Sequence, residues 1–271
     1  MIRLVESPAD AARFQAALAG RTDPVAVETA VRFAAFHRLP GSGWRFYTGG
    51  EGEEPFALAV RGASALLTGS AEGEETALLL NFLQARRLKT ARPDPLPGWR
   101  RDAAFHVFYA PAEGPVARPL PEGPVARPLP EGFVLNEAPS LLGVTEFLWG
   151  GESMAAPHDR RSTDTFYSEI CTMRNRGLAQ IWTLEEKGVT VATAGAYAIT
   201  ENAALLSAVE TAPAFRGKGC AGALVCALAR ELCGQGKAVC LVARPGVEGF
   251  YEKLGFEQRG LTYGHTAPEN D

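Results

Sequence analysis

The stretch VETAPAFRGKGCAGALVCAL, residues 209–228, decides how the second half of the chain is read. An apolar run ends at Val209, Pro213 breaks it, and Arg216-Gly217-Lys218-Gly219 opens onto a helix. Glycines at the mouth of a helix let consecutive amides point at one spot. That spot also feels the positive end of the helix dipole, so the turn suits phosphate. Arg216 and Lys218 add positive charge there. The spacing is neither G-x-x-x-x-G-K-[ST] nor G-x-G-x-x-G, which excludes a Walker loop and a dinucleotide turn. Taken alone, such a turn is equally a plain helix cap.

The surrounding pattern narrows the choice. After Phe133 the chain reads as strand, two helices, three strands, helix, strand, short helix, strand. FVLNEAP (133–139) is a strand, and helical stretches follow around 139–150 and 160–175. LAQIWTLEE (178–186) and GVTVATAGAYAIT (188–200) read as strands joined at Glu186-Lys187-Gly188. A third strand, Leu205 to Val209, follows a turn at Glu201-Asn202. Residues 219–233 form a helix with Leu224, Leu228 and Leu232 on one face, stopped by Gly234 and Gly236. AVCLVAR (238–244) is near-continuously apolar, as in a strand covered on both faces.

Arg216-Gly217-Lys218-Gly219-Cys220-Ala221 matches the R/Q-x-x-G-x-G/A signature of the GNAT acetyltransferase superfamily. Gly249-Phe250-Tyr251-Glu252-Lys253-Leu254-Gly255-Phe256 resembles that superfamily's second hallmark, the "YEKLGF" segment. The two lie in the family's order, one helix and one strand apart, and the resemblance covers about 133–265. It implies an α/β fold with a mixed α+β sheet and acetyl-CoA, or another acyl-CoA, as donor. By the same resemblance the amides of Arg216, Gly217, Lys218, Gly219, Cys220 and Ala221 would hold the pyrophosphate. Val209 to Thr211 would run beside the pantetheine, with the Val209 amide polarising the thioester carbonyl. Tyr251 would protonate the leaving thiolate, since a phenol with pKa near ~10 is a ready acid at neutral pH.

One departure is plain. Where many family members carry asparagine seven residues before this tyrosine, Arg244 stands here, followed by Pro245. Arg244 is then a candidate for a cofactor phosphate. By the resemblance Glu210 is the candidate general base, acting through a water as a strand glutamate of the family sometimes does; Val209 and Glu210 face opposite sides of the strand, only one of them the acceptor, and the plainer reading is a surface or structural carboxylate. Acceptor recognition is expected from the first helical pair, including Trp149, Glu152, Asp159 and Asp164. The partners implied are acetyl-CoA and a small-molecule or peptide amine, and a homodimer is compatible with the resemblance. The alternatives are a longer acyl chain, a hydroxyl acceptor, or a CoA-binding sensor or scaffold without turnover.

Before Phe133 lies EGPVARPLPEGPVARPLPEGF (113–133), in which EGPVARPLP occurs twice in tandem. Three prolines per unit exclude helix and central strand. The expectation is an extended linker over 111–132, dividing a 1–110 lobe from a 133–271 acetyltransferase domain. Residues 1–110 show the same element order as the second half. MIRLVE is a strand, Ser7-Pro8-Ala9-Asp10 and Asp23-Pro24 start helices, and WRFYTG, PFALAV and ASALLTG are strands. EETALLLNFLQARR (74–87) is a helix, and LKTA and AAFHVFYA (103–110) are strands. The turn Gly69-Ser70-Ala71-Glu72-Gly73-Glu74 lacks the phosphate signature and carries two glutamates. A degenerate GNAT-like lobe in tandem with a competent one is expected on element order, with an unrelated α/β lobe as the alternative.

Composition bounds the rest. The 271 residues are 46% hydrophobic and 21% charged, close to the globular average. A net charge of −4 argues against a nucleic-acid or anionic-membrane surface. The first residues turn polar at once and no apolar run approaches a membrane span, so a cytoplasmic protein is expected. The five cysteines show no CxxC and the four histidines lie far apart, so buried free thiols and no metal are expected.

Overall fold

The computed structural model describes residues 1–49, 55–111, 129–151 and 160–268. The chain divides into two compact units. The first takes Met1–Val107, Val242–Pro245 and the segment from Arg259 onward; the second takes Phe108–Leu241 and Gly246–Gln258.

The first unit runs β1 (Ile2–Leu4), α1 (Pro8–Ala16), α2 (Pro24–Phe36), β2 (Arg45–Gly49), β3 (Ala57–Arg61), β4 (Ser64–Thr68), α3 (Gly73–Phe82), β5 (Arg87–Thr90) and β6 (Arg100–Tyr109). The caps read from sequence do start the helices. Ser7 accepts from the Asp10 N–H at 3.1 Å in a capping box, and Asp23 accepts from the Ala26 N–H at 3.0 Å. β1 to β4 form an antiparallel meander, and β5 lies parallel to β4 from Ser64↔Arg87 to Leu67↔Thr90. One face packs a ring cluster. Phe14 stacks on Phe33 at 4.4 Å, and Phe46 stands edge-on to both. The other face carries Leu58, Val60, Leu67, Leu80, Leu88 and Trp99.

The helix expected over 74–87 stops at Phe82. Gln84 adopts φ 59°, and the Ala85 N–H donates to Leu80 O at 2.9 Å while the Gln84 N–H donates to Asn81 O at 3.0 Å. These are the paired bonds of a Schellman close, made with glutamine where glycine is usual. Arg86 and Arg87 are thereby released into the turn and β5.

The second unit runs β7 (Val134–Asn136), α4 (Leu141–Gly150), α5 (Arg160–Asn175), β8 (Gln180–Glu186), β9 (Val189–Ile199), β10 (Ala203–Thr211), a short 3-10 turn at Pro213–Phe215, α6 (Cys220–Gly234), β11 (Ala238–Ala243) and α7 (Glu248–Lys253). Its strands lie in the order β11-β10-β9-β8-β7. Lys187 (φ 52°) and Gly188 (φ 79°) close the β8–β9 hairpin. Leu224, Leu228 and Leu232, the stripe read from sequence, are fully buried.

One element sits where the sequence division does not put it. β12 (Glu257–Thr266) was expected with the lobe that follows Phe133. It pairs antiparallel with β5, from Tyr263↔Thr90 to Thr266↔Arg87, and its residues from Arg259 belong to the first unit. Strand pairing at this sequence separation leaves no local signature. It buries Thr262, His265 and Ala267. The tandem repeat lies outside the described residues from 112 to 128. No disulfide joins the five cysteines; Cys220, Cys226 and Cys240 are buried, Cys171 and Cys233 partly so. Among the described residues no helix is long and apolar enough to cross a membrane.

Ending the chain after Gln258 is therefore expected to damage the first unit. Hydrogen exchange should show the β5 amides of Arg87–Thr90 losing protection, with a thermal midpoint lower by roughly 10 °C or more. Unchanged protection of β5 would mean that β12 adds nothing to that sheet.

Candidate active site

The site is built where two parallel strands part. β10 pairs with β9 to its end, at Thr211↔Ala192, but with β11 only from Ala203↔Ala238 to Leu206↔Leu241. Just beyond, the β9 register slips between Ser207 and Glu210, one extra residue enters β10, and Ala208 takes φ 51°. A left-handed alanine costs about 1 kcal/mol, which the bulge imposes on this strand. Past the bulge, the Ala212 N–H donates to Val191 O at 2.9 Å, toward β9. Strand alternation then turns the backbone groups of Val209 and Thr211 to the opposite edge.

The loop after β10 delivers the helix mouth. Gly217 and Gly219 have φ 78° and 86°, and Gly219 is the N-cap of α6 with no side-chain cap bond. The first internal bond runs from the Ala223 N–H to Gly219 O at 2.9 Å. The amides of Cys220, Ala221 and Gly222 are thus the outward donors of the first turn. Burial pushes the Cys220 thiol up, so this residue offers its backbone and not its sulfur. The Lys218 ammonium lies 4.6 Å from the centre of the Phe215 ring. Arg216 turns back toward β10. Its Nε donates to Thr211 O at 3.1 Å, and its Nη2 meets Glu210 Oε1 at 3.2 Å.

Glu210 is 7% exposed, opposite Thr193, and it faces the end of α4. A Cβ on Gly151, the residue closing α4, would come within 3.0 Å of the Glu210 carboxyl carbon. Tyr251 lies on α7, 9% exposed, with ring centres of Phe250, Phe108 and Phe256 at 5.0, 6.0 and 6.1 Å. Arg244 is exposed beyond β11 and falls in the first unit, so the second unit's own site is assembled from the other candidates. Of the expected acceptor residues, Trp149 packs tilted against Phe166, with ring centres 4.8 Å apart. Asp164 is exposed and pairs with Arg160, and Glu152 and Asp159 lie outside the described residues. Sequence reasoning passed over Gly151, which lies against Glu210, and Phe166, which packs between Trp149 and Tyr197. Their only signal was a tyrosine among the small residues of β9. Among the described residues no group of three or more His, Cys, Asp or Glu is placed to hold a metal ion.

The family described as FR47-like protein matches residues 186–264, from the end of β8 through most of β12. No curated protein is similar in sequence. A GCN5-related N-acetyltransferase from Sphaerobacter thermophilus superposes with TM-score 0.60 at 17% identity, covering 100% of this chain and 97% of that one. A tandem GNAT protein from the clavulanic acid biosynthesis pathway gives 0.59 at 14% identity over 100% of both chains. A GCN5-related N-acetyltransferase from Kribbella flavida gives 0.55 at 14%, covering 92% and 98%. The chain has the GNAT fold.

The first unit builds the same helix mouth differently. β4 and β5 pair without a register shift, and β4 ends at Thr68. The N-cap of α3 is Glu72, whose carboxylate accepts from the Glu74 N–H at 3.0 Å and the Glu75 N–H at 2.5 Å. A side-chain anion of the chain itself holds the donors that α6 leaves to its surroundings. Those two backbone bonds lower the Glu72 carboxyl below its ordinary 4.5. A lowered folded-state value means stability that is present above the unfolded value and lost as pH falls through the folded one. Glu72→Gln is accordingly expected to be less stable than wild type at pH 7, with the gap closing below about pH 4.5. Urea midpoints across pH 3–7 check this; a gap that stays constant over that whole range contradicts it.

Proposed function

We propose that the chain is an acyl-CoA-dependent N-acetyltransferase whose second unit binds donor and acceptor. The observation that carries the reading is one meeting point. A strand that leaves its parallel neighbour at Leu206 leads directly into a helix mouth with no side-chain cap. Acetyl-CoA fits the groups present there. The outward amides of Cys220 to Gly222, set by Gly217 and Gly219 with Lys218 beside them, suit a pyrophosphate. The backbone of Val209 and Thr211 suits the amides of a pantetheine arm. In the first unit Glu72 fills the matching position, which supports a structural role for that lobe.

In this reading the Val209 N–H donates to the thioester oxygen. The acceptor nitrogen attacks the acetyl carbon, the carbon–sulfur bond breaks, and the electron pair leaves on sulfur. The Tyr251 phenol supplies the proton the thiolate takes up. Glu210 lies on the α4 side, where it can take the proton the amine loses. The Arg216 side chain serves as the anchor for Glu210 and the end of β10. The packing of Tyr251 among three phenylalanines favours a second reading, a CoA-binding protein without turnover.

Two measurements test these roles. Gly219→Val forces a β-branched residue to φ 86° and should weaken acetyl-CoA binding by roughly tenfold or more in calorimetry. Equal affinity in the variant removes the assigned donor site. Tyr251→Phe should bind acetyl-CoA like wild type and turn over ~100-fold to 10,000-fold more slowly, read as free CoA released against an amine panel. Turnover at the wild-type rate makes Tyr251 a core aromatic and passes the proton to another group.

A further inference from the structure

Tyr197 is the most unusual polar side chain of the second unit. It is 7% exposed on β9, and its hydroxyl has no hydrogen-bond partner among the described residues. Burial pushes the phenol well above its ordinary range, so it remains a protonated donor. An unsatisfied buried hydroxyl costs stability, and proteins seldom keep one without a use.

The ring's direction is informative. β9 carries an extra residue opposite Leu205–Leu206, and the Tyr197 ring lies back along the strand over Gly195. A Cβ at Gly195 would meet ring atom Cε2 at 2.5 Å, so only glycine admits this pose. Thr193, the residue opposite Glu210, lies two positions further along the same face of the strand. Phe166 of α5 sits between two rings, 5.8 Å from Tyr197 and 4.8 Å from Trp149. The Trp149 indole N–H is also buried without a partner among the described residues. Trp149 stands two residues before Gly151, which touches Glu210. Two partnerless buried donors thus flank Phe166, and the end of the helix that carries one of them lies against Glu210.

We propose that Tyr197, with Trp149, is a specificity-determining donor for the acyl acceptor, and that the acceptor is a primary amine bearing a carbonyl or carboxylate oxygen. The inference rests on the acetyltransferase reading above. The amine points at Glu210, and the oxygen takes the Tyr197 and Trp149 protons. A plain alkylamine leaves both donors unmatched after desolvation, which is a strong basis for rejection.

The test uses the full chain, acetyl-CoA, and matched acceptors: an amino acid, its amide, and the alkylamine lacking the carbonyl. Wild type should prefer the carbonyl-bearing amines in kcat/KM, and Tyr197→Phe should cut that preference roughly tenfold through the acceptor KM. Gly195→Ala, which displaces the ring, should act in the same direction. The thermal midpoint of free Tyr197→Phe should equal or exceed that of wild type, because the hydroxyl lost has no partner to lose. An unchanged preference overturns the proposal, and so does a midpoint several degrees lower, which would reveal an internal partner. Failure of wild type to bind acetyl-CoA, or to release CoA with any amine, is a different result that removes the acetyltransferase reading itself.

Discussion

The parting of β10 from β11 beyond Leu206 and Leu241 is the constraint on which the second unit depends. A parallel pair that stays zipped offers no backbone to a ligand. A pair that opens must keep its free strand straight enough to present its edge. The bulge at Ser207–Glu210 performs that separation, and the left-handed Ala208 carries its cost. Arg216 then fastens the loose end by holding both the Thr211 carbonyl and the Glu210 carboxylate. The apolar stripe of α6, buried by Leu224, Leu228 and Leu232, fixes the helix whose mouth closes the corner. Sheet opening, loop conformation and carboxylate position are thus one mechanical unit.

Much of this was legible and some was not, for identifiable reasons. The α6 stripe and the glycines at 217 and 219 carry period and conformation in their own identities, so helix and mouth could be read directly. The caps at Ser7 and Asp23 were legible for the same reason. The bulge was not, because alanine at position 208 gives no hint of a positive φ. The end of α3 was missed because glutamine stands where a glycine would announce the close. The charge of Arg216 is legible, but its pairing with Glu210 depends on a carboxylate six residues earlier being turned toward it. Tyr197 was passed over because a tyrosine in an apolar strand reads as core until its hydroxyl is seen without a partner.

The two units show how one order of elements can serve two ends. In both, a strand leads into a helix whose first amides need an acceptor. In the first unit Glu72 supplies it, the strand stops at Thr68, and the ladder to β5 has no slip. In the second, glycine supplies nothing and the strand runs on past its neighbour. The caps differ, Glu72 against Gly219, and so do the strands, β4 without a slip and β10 with its bulge.

The placement of β12 has a temporal meaning as well as a spatial one. During synthesis the first hundred residues emerge long before Thr266, so β5 must wait at an open edge while the whole second lobe is made. Until then that edge is a template for any passing strand, including the same strand of another nascent chain. The first lobe matures last although it is translated first. Its sheet is thereby tied to the emergence of β12, and a cut at the proline repeat would part β5 from the strand it pairs with.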